Sequence, residues 1–126
     1  MNDFNTPAPD STAMVIDMQQ VIEDLQIDEA GYFELVGVFL DEVPTIREAI
    51  ARALERGREP FIRVSHELGT TLGVVGAARG QRLARGLERA LRAGEPVDLA
   101  MAAATLLREL EVVAQILGSG PASGGR

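Results

Sequence analysis

The feature that most constrains the fold is a run of apolar residues spaced three and four apart between positions 29 and 55. An α-helix advances about 100° per residue, so residues at this spacing lie on one face. The pattern therefore predicts a single long helix with one buried face. Its apolar positions are Phe33, Val36, Leu40, Val43, Ile46, Ile50 and Leu54. Pro44 lies inside this segment and removes one backbone hydrogen bond, which predicts a kink.

Four other segments show helical periodicity, and none alternates convincingly at the period of two that is typical of a strand. These helices are predicted over residues 12–25, 60–75, 77–93 and 97–117, with Asp10, Ser11 or Thr12 capping the first. Short connections separate the last four helices, which favours antiparallel neighbours. The sequence therefore predicts an all-α fold. We expect an antiparallel four-helix bundle of helices two to five, with an additional short N-terminal helix packed over one end.

The length of 126 residues is sufficient for one domain with a single core. We expect a disordered N-terminal arm over residues 1–11, the helical bundle over 12–117 and a disordered Gly/Ser tail over 118–126. No apolar run has the length of a membrane span, and the N-terminus lacks the features of a signal peptide. The expectation is a cytoplasmic protein without a membrane partner.

The charge distribution bears on the class of partner. The net charge is −7, which argues against nucleic acid as the main partner. Residues 1–57 contain twelve acidic residues and three arginines, whereas residues 58–126 contain seven acidic residues and nine arginines. We interpret this asymmetry as a sign that the two halves present different surfaces.

His66 is the strongest candidate for chemistry. It is the only histidine, and the chain has no cysteine and no lysine, so one side chain has a nucleophilic nitrogen near neutral pH. On a helix its ring would point about 160° away from the middle of the apolar stripe. That stripe consists of Phe61, Val64, Leu68, Leu72 and Val75. Gly69 and Gly73 share the face of His66 and together cost the helix about 2 kcal/mol relative to alanine. This suggests that a partner approaches the ring closely, although an ordinary surface histidine beside tightly packed glycines is the alternative.

The stretch around His66 resembles the phosphorylation motif of histidine-containing phosphotransfer (HPt) domains. The usual form of that motif is His-x-Leu-Lys-Gly-Ser/Ala followed by Gly-Ala or Gly-Leu, and His66, Leu68, Gly76 and Ala77 match it without an insertion. Residues 31–44 resemble the corresponding second helix, and the resemblance extends over roughly residues 13–117. It implies that His66 is a phosphoacceptor, through Nε2, in a two-component phosphorelay. The phosphoryl group would come from a receiver-domain aspartate or a sensor (hybrid) histidine kinase and pass to a response-regulator receiver.

The resemblance also implies a stoichiometric phosphocarrier that is not an enzyme and is a monomer. It has no cofactor of its own and no metal site, because the receiver partner supplies Mg²⁺. A hydrolase or a metal enzyme has little support, since one histidine without clustered carboxylates or cysteines does not make a metal site.

Two positions depart from the family motif. Gly69 stands where a lysine is usual, and Thr70 stands where a glycine is usual. In the family that lysine is thought to neutralise phosphoryl oxygens, as an ammonium point charge suits. An alternative function is therefore a degenerate HPt-like interaction module that binds receivers or kinases without carrying phosphate.

Arginines offer a substitute for the missing lysine. An antiparallel hairpin about residues 76–77 would bring position 88 level with His66, so Arg85 and Arg89 are candidates to assist a phosphoryl group, as is Arg63 one turn before His66. The alternative is that these arginines form a solvated helix face. The receiver-docking face is predicted to adjoin the second helix and to consist of Ile62, Arg63, Gly69, Thr70 and Gly73.

Overall fold

In a computed structural model, which describes residues 15–119, these residues form five helices. The helices are α1 (Met18–Leu25), α2 (Glu29–Arg56), α3 (Arg58–Val74), α4 (Ala78–Arg92) and α5 (Leu99–Gly118). The described residues contain no strand. The prediction of an all-α fold is confirmed.

Local chemistry sets the helix ends. The side chain of Asp28 accepts a hydrogen bond from the Gly31 N–H at 2.8 Å, and that of Asp98 accepts one from the Met101 N–H at 3.1 Å. These N-caps satisfy N–H groups that have no partner within the first turn of a helix. α2 ends at Gly57, whose φ of 113° lies in a region that residues with a Cβ rarely adopt. The chain can therefore reverse into α3 over a single residue.

The predicted start of the first helix is wrong. Residues 15–17 are not helical, and the N-cap of α1 is Asp17, whose carboxylate accepts a hydrogen bond from the Gln20 N–H at 3.1 Å. The Asp17 N–H is itself bonded to the Gly76 carbonyl at 2.7 Å, so a tertiary contact holds this residue outside the helix. The earlier cap candidates Asp10, Ser11 and Thr12 and the predicted arm lie outside the described residues.

The predicted tail begins one residue too early. α5 includes Gly118, and Ser119 is its C-cap, with the Ser119 hydroxyl donating to the Gln115 carbonyl at 2.7 Å. Residues 120–126 lie outside the described part of the chain.

Helices α2 to α5 enclose one core. α3 packs against α2 and α4, and α5 closes the bundle by packing against α2 and α4. The predicted apolar stripe of α3 is buried at all five positions. The buried face of α2 is rotated slightly from the prediction, because Tyr32 and Phe39 are buried whereas Phe33 and Leu40 are only partly buried. Pro44 lies within α2, as expected.

The turn between α3 and α4 is held by contacts from two other parts of the chain. The buried Tyr32 hydroxyl donates to the Val75 carbonyl at 2.7 Å, and burial raises the pKa of Tyr32 to about 12, so the phenol keeps its proton. Gly76 has a φ of 78°, and a Cβ there would lie 2.6 Å from the Asp17 carbonyl oxygen. The turn therefore requires glycine, and its position fixes where α4 begins against α3.

The far end of the same hairpin is tied as well. The Arg58 guanidinium at the start of α3 donates to the carbonyl of Leu91, in the last turn of α4, at 3.1 Å and to that of Glu95, just after α4, at 2.7 Å. With both ends held, the register of α4 along α3 is set. Among the described helices, none is long and apolar enough to cross a membrane.

Candidate functional site

The site around His66 is built by α3 and α4, which lie antiparallel in a regular register. Three contacts recur along the pair. His66 meets Glu88, Gly69 lies under Arg85, and Gly73 lies under Gln81. Each step of three or four residues along α3 matches an equal step back along α4, so long side chains of α4 cover the small residues of α3.

The His66 ring is oriented by a carboxylate. Its Nδ1 lies 3.1 Å from both Oε1 and Oε2 of Glu88. The His66 side chain is 56% exposed, whereas that of Glu88 is 15% exposed. The interaction therefore fixes one edge of the ring against α4 and leaves the remainder of the ring open to solvent.

Glu88 is held in turn by Arg92, one helical turn later in α4. The Arg92 Nε donates to Oε2 of Glu88 at 2.8 Å. Burial of the Glu88 carboxyl raises its pKa, but the hydrogen bonds and charges of Arg92 and His66 outweigh burial and hold the pKa below its ordinary value. Glu88 is therefore an ionised acceptor at neutral pH.

The charge of Glu88 decides the tautomer of His66. A carboxylate can only accept hydrogen bonds, so the neutral imidazole must carry its proton on Nδ1. The lone pair then lies on Nε2, which has no hydrogen-bond partner among the described residues. An exposed nitrogen with a free lone pair, on a ring whose other nitrogen is held by a carboxylate, is suited to nucleophilic attack.

The chain is similar to one known protein family. The Hpt domain model matches residues 34–116, a segment that runs from the first turns of α2 to near the end of α5 and includes His66 and Glu88. The chain belongs to the Hpt domain family. HPt domains are phosphocarriers of two-component signalling, and they generally interact with receiver domains and kinases. Searches of curated proteins and of solved structures returned no match.

Glu88 and Arg92 are the residues of this HPt domain that the sequence analysis did not assign. Position 88 was correctly expected to be level with His66, but the supporting role was predicted for the arginines beside it, Arg85 and Arg89. A signal was present, because a carboxylate occurs at that level with an arginine four residues later, on the same face of α4. Only the direction of the His66 ring shows that the carboxylate is its partner.

The three candidate arginines border two different grooves. Arg63 borders an open groove between α2 and α3, next to Arg52 and Arg56. Arg85 and Arg89 border an open groove along α4. None of the three candidates is hydrogen bonded to the His66 ring within the described part of the chain. Their predicted role at a phosphoryl group stays a prediction.

The predicted docking face is wrong in part. Ile62 is buried in the core, and Gly69 is buried beneath Arg85, so neither is available to a partner. The Arg85 side chain fills the space next to Gly69, because a Cβ at position 69 would lie 3.2 Å from Arg85 Cγ. Arg63 and Thr70 are exposed, and the Thr70 hydroxyl donates to the His66 carbonyl at 3.3 Å.

Gly73 follows the same principle as Gly69. It is partly buried, and a Cβ there would lie 3.0 Å from the Cδ of Gln81. Helix-helix packing thus accounts for both glycines near His66. The idea that the glycines open a path for a partner to the ring is not supported at these two positions.

An apolar groove lies on the opposite side of the site, between α2 and α3. Val38 and Val74 are 61% and 44% exposed at this groove. It is lined by Leu35, Val38, Phe39, Glu42, Thr70, Thr71, Val74 and Val75. Thr70 joins the groove to the surface beside His66, since it lies one turn after the histidine. This surface corresponds to the adjoining part of the second helix in the predicted docking face.

A metal centre is the other class of site to consider. Residues 15–119 contain no group of three or more histidine, cysteine, aspartate or glutamate side chains placed to hold a metal ion. The carboxylate nearest to His66 is already paired with an arginine. The arrangement is therefore an exposed imidazole whose Nδ1 is held by a carboxylate, on the surface of a helix pair.

Proposed function

We propose that this HPt domain carries a phosphoryl group on Nε2 of His66. The group would be accepted from the aspartyl phosphate of a receiver domain, or from a sensor histidine kinase, and passed to a response-regulator receiver. The observation that carries this proposal is the pairing of Nδ1 with the Glu88 carboxylate at 3.1 Å. That pairing leaves Nε2 as the nucleophilic nitrogen of an exposed ring.

The transfer step balances without an added base. The Nε2 lone pair attacks phosphorus, the bond from phosphorus to the aspartyl oxygen breaks, and the receiver regains its carboxylate. The imidazole becomes a phosphoimidazolium that keeps its proton on Nδ1. Glu88 faces that N–H and stabilises the positive charge that develops on the ring. Return of the group to another receiver reverses each of these changes.

The proposal also assigns a role to the partner protein. A receiver domain would supply Mg²⁺ and the acidic pocket that holds it, and the HPt domain would supply the imidazole and its position. Such a protein acts as a stoichiometric carrier and not as an enzyme. A monomer in the cytoplasm remains our prediction.

The docking face that we now propose lies around Thr70 and the apolar groove. Exposed apolar side chains beside a reactive residue suit a protein partner, because their burial provides affinity without adding a charge to the site. Val38 and Val74 are the most exposed of these side chains. Arg63 lies near the same flank and remains a candidate contact.

The proposal is tested by incubating the protein with a phosphorylated receiver. We expect label on the protein that is labile in acid and stable in alkali, and we expect His66→Gln to abolish it. Label that persists in the His66→Gln protein would contradict the assignment of His66. If the protein is instead a degenerate interaction module, receivers will bind equally well to the His66→Ala protein and no donor will label the wild type.

A further inference from the structure

We propose that the Arg85 guanidinium binds the phosphoryl oxygens once His66 is phosphorylated, and that Gly69 is the residue that makes room for it. This inference rests on the proposed function and identifies the cation that serves the same site.

A phosphoryl group on His66 needs a cation nearby. It brings a charge of about −1.5 to −2 at neutral pH, on a ring whose Nδ1 already faces the Glu88 carboxylate. Arg92 is already bound to that carboxylate at 2.8 Å. Because the chain contains no lysine, any additional side-chain cation that this protein supplies there is another arginine.

Arg85 is held close to the required place by packing. Its side chain crosses α3 at Gly69, where an added Cβ would lie 3.2 Å from Arg85 Cγ and 3.5 Å from Arg85 Nε. Gly69 lies three residues after His66, which is about 4.5 Å along the helix axis. The Arg85 side chain therefore passes within one helical turn of the phosphoacceptor.

Arg85 is also free to bind an anion. It is exposed, and its guanidinium has no hydrogen bond or ion pair with the other described residues. Several arginines of the bundle are already engaged. Arg47 binds Glu111, Arg58 binds backbone carbonyls, Arg79 binds Glu109 and Arg92 binds Glu88.

The remaining candidates near the site are less well placed. Arg63 lies beside the groove that Arg52 and Arg56 also line, between α2 and α3 and away from α4. Arg82 and Arg89 border the same α4 groove as Arg85, but the side chain that lies against Gly69 is that of Arg85. The packing contact over α3 thus distinguishes Arg85 from its neighbours.

The position of Arg85 also explains why residue 69 is a glycine. Any side chain at position 69 would have to share space with Arg85, and a Cβ 3.2 Å from Cγ is closer than ordinary van der Waals contact. Alanine at position 69 would therefore shift the Arg85 side chain by a few tenths of an ångström, even though Arg85 itself is unchanged. If Arg85 serves the phosphoryl group, a substitution at Gly69 should change the phosphorylation of His66. If the arginines of α4 are only a solvated row, it should not.

The test uses phosphoramidate, a small phosphodonor, so that no protein partner is needed. Nε2 attacks its phosphorus, the phosphorus–nitrogen bond of the donor breaks and ammonia leaves. The full chain is labelled, the rate of His66 phosphorylation is measured, and the phosphohistidine is observed by ³¹P NMR. The wild type should be labelled and His66→Gln should not.

Arg85→Ala should slow labelling roughly tenfold to a hundredfold, the effect of losing a hydrogen bond between charged groups. It should also move the ³¹P resonance. Arg85→Lys should restore part of the rate. The matched control is Arg82→Ala, which removes an arginine from the same groove and should stay within about twofold of the wild type.

Gly69→Ala provides the second arm, because it keeps Arg85 but displaces it. It should slow labelling by a smaller factor than Arg85→Ala does. Its control is Gly37→Ala, also within a helix but with nothing within 4 Å of an added Cβ, which should not change the rate. The Gly69→Ala protein keeps the assignment testable even if Arg85→Ala fails to fold.

The inference is overturned if folded Arg85→Ala is labelled at the wild-type rate with an unchanged ³¹P resonance. It is also overturned if Arg82→Ala slows labelling as much as Arg85→Ala. A wild-type protein that takes no label on His66 would contradict the proposed function itself, which is a different result.

Discussion

The two flanks of His66 are built in opposite ways. On the α4 flank, polar side chains cover small residues of α3 and make specific contacts, as Glu88 does with the ring. On the α2 flank, Val38 and Val74 leave apolar surface exposed beside an open groove. The first arrangement fixes the tautomer and the orientation of the imidazole. The second offers area that a partner can bury. We infer that chemistry and recognition are separated on this small bundle.

The strongest test of the role of the α4 flank is to remove the Glu88 carboxylate. Glu88→Ala should slow labelling of His66 by phosphoramidate roughly tenfold to a hundredfold, because Nδ1 loses its acceptor and the ring loses its fixed tautomer. Glu88→Gln should be milder, since the amide oxygen can still accept the hydrogen bond. The control is Arg47→Ala, which removes an exposed ion pair with Glu111 far from the site. Equal rates for Glu88→Ala and the wild type would show that the carboxylate has no chemical role.

The opposite flank is tested by adding charge to the apolar groove. Val38→Asp should weaken binding of a receiver about tenfold, because a hydrophobic contact is lost and a carboxylate is buried in the interface. Labelling by phosphoramidate should not change, since that donor needs no docking surface. Met101→Asp is the matched control, as Met101 is an exposed apolar residue on α5. A loss of phosphoramidate labelling in Val38→Asp would refute the separation of the two flanks.

The turn that sets the register of both flanks can be loosened through Tyr32. Tyr32→Phe should lower the free energy of unfolding by about 1–3 kcal/mol, because it leaves the buried Val75 carbonyl without its donor. Urea denaturation measures this change.

The raised pKa of Tyr32 also predicts how the stability of the fold depends on pH. Folding raises the pKa of Tyr32 to about 12, so its stabilising contribution is complete below the ordinary pKa of tyrosine. That contribution should decline as the pH rises from about 10 through 12. Tyr32→Phe should lack this decline, and an identical alkaline profile for both proteins would contradict the assignment.

The smallest expected effect concerns Arg92. Because Arg92 lowers the pKa of Glu88, Arg92→Ala should raise that pKa, and the carboxylate should become protonated at a higher pH. Labelling at neutral pH should change little, since Glu88 remains ionised there. NMR titration of the Glu88 carboxyl carbon measures the shift. A midpoint that stays in place or moves to lower pH would show that Arg92 does not support Glu88.

Much of the fold was accessible from the sequence because its signals are local. Helix periodicity predicted the five helices, and every residue of the stripe predicted for α3 is buried. The same helix also buries Ile62 and Gly69, which were predicted on the docking face. The start of α1 was not accessible, because the Asp17 N–H is held by the carbonyl of Gly76, which is remote in sequence. The rotation of α2 that buries Tyr32 was missed for a similar reason, since its hydroxyl reaches Val75 across the bundle.

The candidate site likewise has features that the sequence predicted and features that only the tertiary structure shows. The sequence alone determined that His66 is the one side chain with a nucleophilic nitrogen near neutral pH, that it lies on the face of α3 away from the buried stripe, and that position 88 is level with it. These conclusions need only helix geometry and the length of the turn. The tertiary structure alone decided that Glu88 binds the ring and that Arg85 covers Gly69. Such contacts depend on how far apart two helices pack and which way long side chains turn, and helical periodicity contains no information on either.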